Sequence, residues 1–245
     1  SQNLHRCIRQ HICRGKYKES VRPVLVNSWE ASYFDFDGDT LYELAKEAKH
    51  AGIDMLVLDD GWFGKRDDDN SGLGDWFVNE KKLGGTLGDL IKKINDLGVK
   101  FGIWVEPEMV NVKSKLYVAH PDWTIEIPGQ PHSEGRNQRI LDLGRREVQD
   151  YIIESMSKVF SSADISYVKW DMNREIVQPG HDGYAALDGQ TKAVYDLFDE
   201  LRQRHPKVEF ESCASGGGRI DYEILKRTHR FWTSDNNDAL ERQQI

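Results

Sequence analysis

The sequence is short of cysteine, of basic charge and of long apolar runs, and each shortage closes off a class of protein. Three cysteines in 245 residues cannot make the disulfide framework of a small secreted domain. Two of them sit in His5-x-Cys7 and His11-x-Cys13, but on a helix-like stretch, without the tight repeated spacing of a structural zinc site. No metal and no cofactor is expected. A net charge of −8 lacks the basic face that phosphate contacts need, so no nucleic-acid partner is expected. No apolar run approaches the ~20 residues of a helical membrane span, so no membrane partner is expected either. Residues 1–20 are polar and basic, without the apolar core of a signal peptide. The chain begins without Met, and a longer protein is expected around it. Nucleotide fingerprints are missing too. The first strand ends in Asn27-Ser28-Trp29-Glu30, nothing like a Gly-rich dinucleotide turn. Gly216-Gly217-Gly218 has no Lys-Ser/Thr after it, so a tight turn or a close backbone approach accounts for it better than phosphate.

What is present alternates between short apolar runs and amphipathic stretches. Residues 4–19 read as a helical lead-in, with Leu4, Ile8 and Ile12 in period. Strands are expected at 24–30, 55–58, 99–105, 165–168, 208–212 and 230–235, each rich in β-branched and aromatic residues. Between them, helices are expected from Asp39-Thr40 to Gly52, from Thr86 to Gly98, over 145–160 and over 184–204, and a last one starts at Ala239. The loop 64–85, with Asp67-Asp68-Asp69-Asn70, reads as solvated; it lacks the twelfth-position Glu of a calcium loop. Six βα units of this kind predict an α/β fold, a parallel-stranded (β/α)8 barrel of the TIM type truncated after about six units. The domain division expected is a lead-in over 1–22 and the barrel over 23–245.

Parallel strands would bring Trp29, Asp59, Asp60, Trp104, Glu106, Lys169, Asp171, Cys213 and Asp235 to one rim. Indole faces suit the C–H faces of a sugar and charged groups suit its hydroxyls. Two separated carboxylates, Asp171 and Asp235, suit the two ends of a glycosidic bond. Asp238, just ahead of a helix, reads as its cap instead. Lys169 is expected beside Asp171, keeping it ionised. A rival reading takes Asp59, Glu106 and Asp171 as Mg²⁺ ligands and Lys169 as the base of an enolase-like lyase. Another takes the chain as a non-catalytic sugar-binding fragment.

Leu58-Asp59-Asp60-Gly61-Trp62-Phe63-Gly64, Trp104-Val105-Glu106-Pro107-Glu108-Met109, Lys169-Trp170-Asp171-Met172-Asn173-Arg174, Cys213-Ala214-Ser215-Gly216-Gly217-Gly218-Arg219 and Trp232-Thr233-Ser234-Asp235-Asn236 together resemble, in order, the family-36 glycoside hydrolases, the bacterial-type α-galactosidases. The resemblance implies retaining hydrolysis of terminal α-D-galactosides of the raffinose and melibiose type, without a metal. It implies Asp171 as nucleophile and Asp235 as acid/base. It places Asp59, Asp60, Trp104, Arg136, Lys169, Asn173, Cys213 and Gly216 in contact with galactose. It further implies a cytoplasmic homotetramer at full length, with flanking β domains. The resemblance leaves open galactose against N-acetylgalactosamine, and hydrolysis against transfer.

Overall fold

A computed structural model describes residues 2–14, 18–178, 180–181 and 184–244. Six strands form one sheet: β1 (Leu25–Asn27), β2 (Met55–Leu58), β3 (Lys100–Val105), β4 (Ile165–Trp170), β5 (Glu209–Ser212) and β6 (Arg230–Phe231). Their order across the sheet is their order in the chain. Every neighbouring pair is parallel. An order that never reverses winds the sheet one way, whereas a doubly wound fold switches direction. The sheet is curled like part of a barrel wall: on β6, Arg230 donates from Nη2 to the carbonyl of Pro23, ahead of β1, at 3.1 Å.

Four long helices, α1 (Gly38–His50), α2 (Leu87–Asp96), α3 (Arg146–Ser161) and α4 (Leu187–Arg204), run in the crossovers. Each buries an apolar stripe. In α2 it is Leu87, Leu90, Ile91 and Ile94, and Thr86 caps the helix by accepting from Asp89 N at 3.1 Å. These stripes share one core with alternate strand residues such as Leu56, Leu58, Ile103, Val168 and Phe210. The opposite parity, Met55, Val57 and Tyr167, forms a separate small cluster with Leu25 inside the curl. Period-two alternation thus assigns each strand residue to the helices or to the interior. Gly102 on β3 is required there, because a Cβ would lie 2.7 Å from the Tyr167 ring.

Several expected boundaries move. The lead-in is a helical stretch at Gln2–Cys7 followed by a π-helical turn at Ile8–Ile12, with no buried residue. Leu4 is exposed and Ile8 and Ile12 are only half-buried, so the apolar period contributes no buried residue among the described residues, and residues 15–17 of the expected helix lie outside them. β1 ends at Asn27 because the chain turns into a short helix, Trp29–Ser32. α1 is capped by Asp37, not by Asp39: its Oδ1 accepts from Thr40 N and Thr40 Oγ1, both at 2.8 Å. α4 begins at Leu187, since Tyr184–Ala185 pairs with Gly180–His181 as a small hairpin. The loop 64–85 is exposed along its acidic run Asp67-Asp68 and at its far end, but it is not solvated throughout. Arg66, Leu73, Asp75 and Trp76 are buried, and Glu80–Leu83 is helical. At the chain's end a 3-10 turn, Glu241–Gln243, stands where a helix was expected.

Candidate active site

The interior parity carries the site. Along β2 it runs Met55, Val57, Asp59; along β4 it runs Tyr167, Lys169, Asp171. Apolar residues give way to charge where the strands end. Trp104 is in register with Lys169 and Lys169 with Glu211, so neighbouring strands deliver their polar ends at one level. The result is a cavity of about 470 Å³. Among its lining residues are Asp59, Asp60, Trp104, Arg136, Lys169, Asp171, Asn173 and Asp235. Cys213 and Gly216 stand behind it rather than in its lining.

Asp171 is the best-supported group. Its Oδ2 accepts from the Trp104 indole at 3.0 Å and from Asn173 Nδ2 at 2.7 Å. Its Oδ1 accepts from Met172 N at 2.9 Å. Burial opposes the charge, but the Lys169 ammonium, the Cys213 thiol, the indole and the amide together outweigh it. The carboxyl is held below the usual carboxylate range. Trp104 can aim its N–H because Trp62 Nε1 donates to its carbonyl at 2.9 Å and the Phe63 ring stacks on it.

Lys169 does not pair directly with Asp171. Its Nζ lies 3.1 Å from Asp59 Oδ2, and 4.5 Å from the centre of the Trp232 ring. Burial works against its charge, yet Asp59 and Asp171 raise its pKa above the ordinary lysine value. A base drawn from this residue would have to be the neutral amine, which these two carboxylates disfavour. Asp59 also accepts from Asn27 Nδ2 at 2.6 Å. Asp60 is gripped by Arg66, whose Nε and Nη2 reach both of its oxygens at 2.7–3.1 Å. Glu106 accepts from Gln138 Nε2 at 3.1 Å and from the backbone N–H of Asn173. Burial, then the charge of Asp171, pushes its carboxyl up to about 8. The three acids of the Mg²⁺ reading are thus each engaged by protein donors. Among the described residues no group of three or more His, Cys, Asp or Glu is placed to hold a metal.

Asp235 is exposed at the cavity wall, and the Trp232 indole donates to its Oδ1 at 2.6 Å. Asp238 accepts from Leu240 N and Glu241 N at 2.9 and 3.0 Å, folding the turn ahead of Glu241–Gln243, whose N-cap position is held by Leu240 rather than by Asp238. Gly216 has φ +90°, and a Cβ there would meet Ser234 Cα at 3.1 Å. It lets the loop after β5 lie against the backbone that carries Asp235. Cys213 is buried behind Asp171; burial and then the charge of Asp171 raise its thiol pKa, leaving a neutral hydrogen-bond donor. Arg136 reaches the cavity from a turn in which it and Asn137 have φ of 52° and 59°, a left-handed backbone that costs a side-chain-bearing residue roughly 1–2 kcal/mol.

Residue patterns alone passed over Asn27, Glu30, Trp232 and Asn237, which also line the cavity, and the buried Arg66. Trp232 was within reach, since it has the parity of Arg230 on β6. Arg66 was not, because the acidic run after it reads as solvated.

Indole faces, ion-paired acids and a buried, ionised aspartate at the C-terminal edge of a curled parallel sheet are the arrangement of barrel sites that cleave glycosidic bonds. Known proteins narrow that class. The Melibiase family model matches residues 1–245, and the chain belongs to that family. It is 53% identical to the bifunctional alpha-galactosidase/sucrose kinase AgaSK of Mediterraneibacter gnavus, over 100% of this chain and 26% of that protein. It is 50% identical to an alpha-galactosidase of Escherichia coli, over 99% of this chain and 34% of that one. A solved structure of the GH36 alpha-galactosidase AgaA A355E D478A from Geobacillus stearothermophilus, in complex with stachyose, superposes with a TM-score of 0.96. It shares 46% identity, with 100% of this chain covering 35% of that one. The chain therefore spans about a third or less of the length of these relatives.

Proposed function

We propose that the full-length protein is a retaining α-galactosidase in which Asp171 attacks the anomeric carbon while Asp235 protonates the leaving oxygen. Asp235 then deprotonates the water that releases galactose, with net retention. The observation that carries this reading is the environment of Asp171: buried, held ionised by a cation and three neutral donors, and facing a cavity that Asp235 shares. A nucleophile must be unprotonated and aimed, and these donors do both. Asp59, Asp60, Arg136, Lys169 and Asn173 supply the charged and amide groups for sugar hydroxyls, and Trp104 supplies an apolar face. Cys213 and Gly216 bound the site from behind. The substrate class is α-galactosides of the raffinose and melibiose type, a reading supported by the stachyose complex of the related AgaA variant.

In this reading the six strands belong to a closed (β/α)8 barrel whose remaining strands lie outside residues 1–245, with residues 1–22 as its lead-in. The assembled protein is a cytoplasmic tetramer. The curl of the sheet and the fraction of the relatives spanned support the barrel. The deciding experiment replaces Asp171 by Gly in the full-length protein and adds azide. Loss of hydrolysis with formation of β-galactosyl azide is the expected result. Hydrolysis at the parental rate would remove Asp171 from the mechanism.

A further inference from the structure

The turn that presents Arg136 is held in an unfavourable backbone by side chains that do not line the cavity. Gly135 and Gln138 form an antiparallel bridge around Arg136 and Asn137. Both central residues are left-handed, a shape that Asn-Gly or Gly-Gly adopts readily and Arg-Asn does not. Strain of this kind persists only where the surroundings over-determine it. Here two buried connections grip the turn. From the end of β2, Arg66 joins Asp60 to Asn111, donating from Nη1 to Asn111 Oδ1 at 3.1 Å. Asn111, fully buried, then gives its Nδ2 to the carbonyl of Asn137 at 2.7 Å. From the end of β3, Glu106 joins the backbone of Asn173 to the side chain of Gln138. Arg174 Nη1 closes the second connection on the Gln138 carbonyl at 2.6 Å.

We infer that Arg66–Asn111 and Glu106–Gln138 are positioning pairs that lock the strained Arg136 turn in register with Asp60 and Asp171, so that residues outside the cavity set the affinity of Arg136 for the sugar. This rests on the reading of Arg136 as a galactose contact. Both connections start from residues next to the sugar and end on the turn, which ties the guanidinium to the same frame as the nucleophile. Released from either one, the turn relaxes toward negative φ and carries the guanidinium away from the cavity.

The test uses the full-length enzyme and p-nitrophenyl α-galactoside, with Asn111→Ala and Gln138→Ala made separately. Each is expected to raise KM about tenfold while kcat stays within about threefold, the pattern of lost binding without lost chemistry. Arg136→Ala should raise KM by a similar factor, and Asn111→Ala should add little in that background. Asn137→Gly, which suits positive φ, should bring the raised KM of Asn111→Ala much of the way back to the parental value. Should Asn111→Ala fail to fold, Gln138→Ala in the same cycle carries the test. Independent, additive effects on KM, or a fall in kcat at constant KM, would overturn the inference. An unchanged KM for Arg136→Ala would remove Arg136 from the sugar and the inference with it. A wild-type protein without hydrolysis would instead strike at the proposed function, which keeps the failures apart.

Discussion

Replacing Glu106 by Gln turns the electrostatics of the cup into a measurement. Glu106 is 1% exposed, and its carboxyl is raised from an ordinary 4.5 to about 8 by burial and by Asp171. Between those values the folded protein holds a proton that the unfolded chain has released. The contribution to stability is therefore full below about 4.5 and is lost as pH rises toward 8, by ~1.4 kcal/mol per pH unit, after which it is flat. Over the whole window the loss is on the order of 4–5 kcal/mol. A glutamine does not titrate. Its amide oxygen can accept from Asn173 N as Glu106 does, and its NH2 can serve Gln138 Oε1, which is buried without a hydrogen-bond partner among the described residues. Urea unfolding of both proteins, followed on tryptophan fluorescence from pH 5 to 9, should show little difference at pH 5. The advantage of Glu106→Gln should then grow to pH 8 and remain level above it. At ~2–4 °C per kcal/mol for a domain of this size, the gap in Tm at pH 9 should exceed about 8 °C. A difference that is constant with pH, or that narrows as pH rises, would refute the assignment of the proton to Glu106.

Other perturbations test neighbouring links. Lys169→Met leaves Asp59 and Asp171 buried without their ammonium; at pH 7 it should cost about 3–5 kcal/mol in chemical denaturation, and a loss under about 1 kcal/mol would show that Asn27 and Trp104 suffice. Gly216→Ala forces a Cβ to within 3.1 Å of Ser234 Cα at φ +90°. Shifting Asp235 by ~1 Å should lower kcat by up to about a hundredfold, and unchanged kcat would mean that the loop yields elsewhere.

The fold was legible where period and punctuation agree. β2, α2 and β4 begin and end close to where Met55–Leu58, Thr86 to Gly98 and Ile165-Ser166-Tyr167-Val168 predict, because each couples an apolar pattern to a cap or a turn. Reading failed where tertiary contact decides. The period of Leu4, Ile8 and Ile12 buries none of its residues in the core. Gly38 opens α1 because a Cβ would collide with the Leu83 carbonyl at 2.1 Å, a contact invisible to local sequence. The site was legible as strand ends carrying charge in interior parity, which brought Asp59, Lys169 and Asp171 to one level. Lys169 does help keep Asp171 ionised, as expected, but its ion pair with Asp59 was not legible, because adjacency along a strand says little about which neighbouring strand supplies the nearest carboxylate. Arg66 was hidden for a related reason: its partner, Asp60, is six residues away around a loop.

Charge counting inside the cup gives a reason for this set of residues. Asp59, Asp60, Glu106 and Asp171 are buried together with two cations, Lys169 and Arg66, and a further buried carboxyl, Glu211, raised to about 7, is in register with Lys169. Each cation sits on one carboxylate, Lys169 on Asp59 and Arg66 on Asp60. Glu106, raised to about 8, is largely protonated at neutral pH. Asp171 has no cation in direct contact, and the neutral donors Trp104, Asn173 and Cys213 support its charge together with the nearby Lys169. In the proposed mechanism an oxocarbenium-like transition state would bring positive charge to that position, where preorganised, desolvated charge acts most strongly. Ionising Glu106 would add a negative charge beside Asp171 and push it toward protonation, and losing the Lys169 cation would push it the same way. The same carboxyl that joins the Arg136 turn to Asn173 therefore also bears on the charge of Asp171, so geometry and electrostatics meet at Glu106.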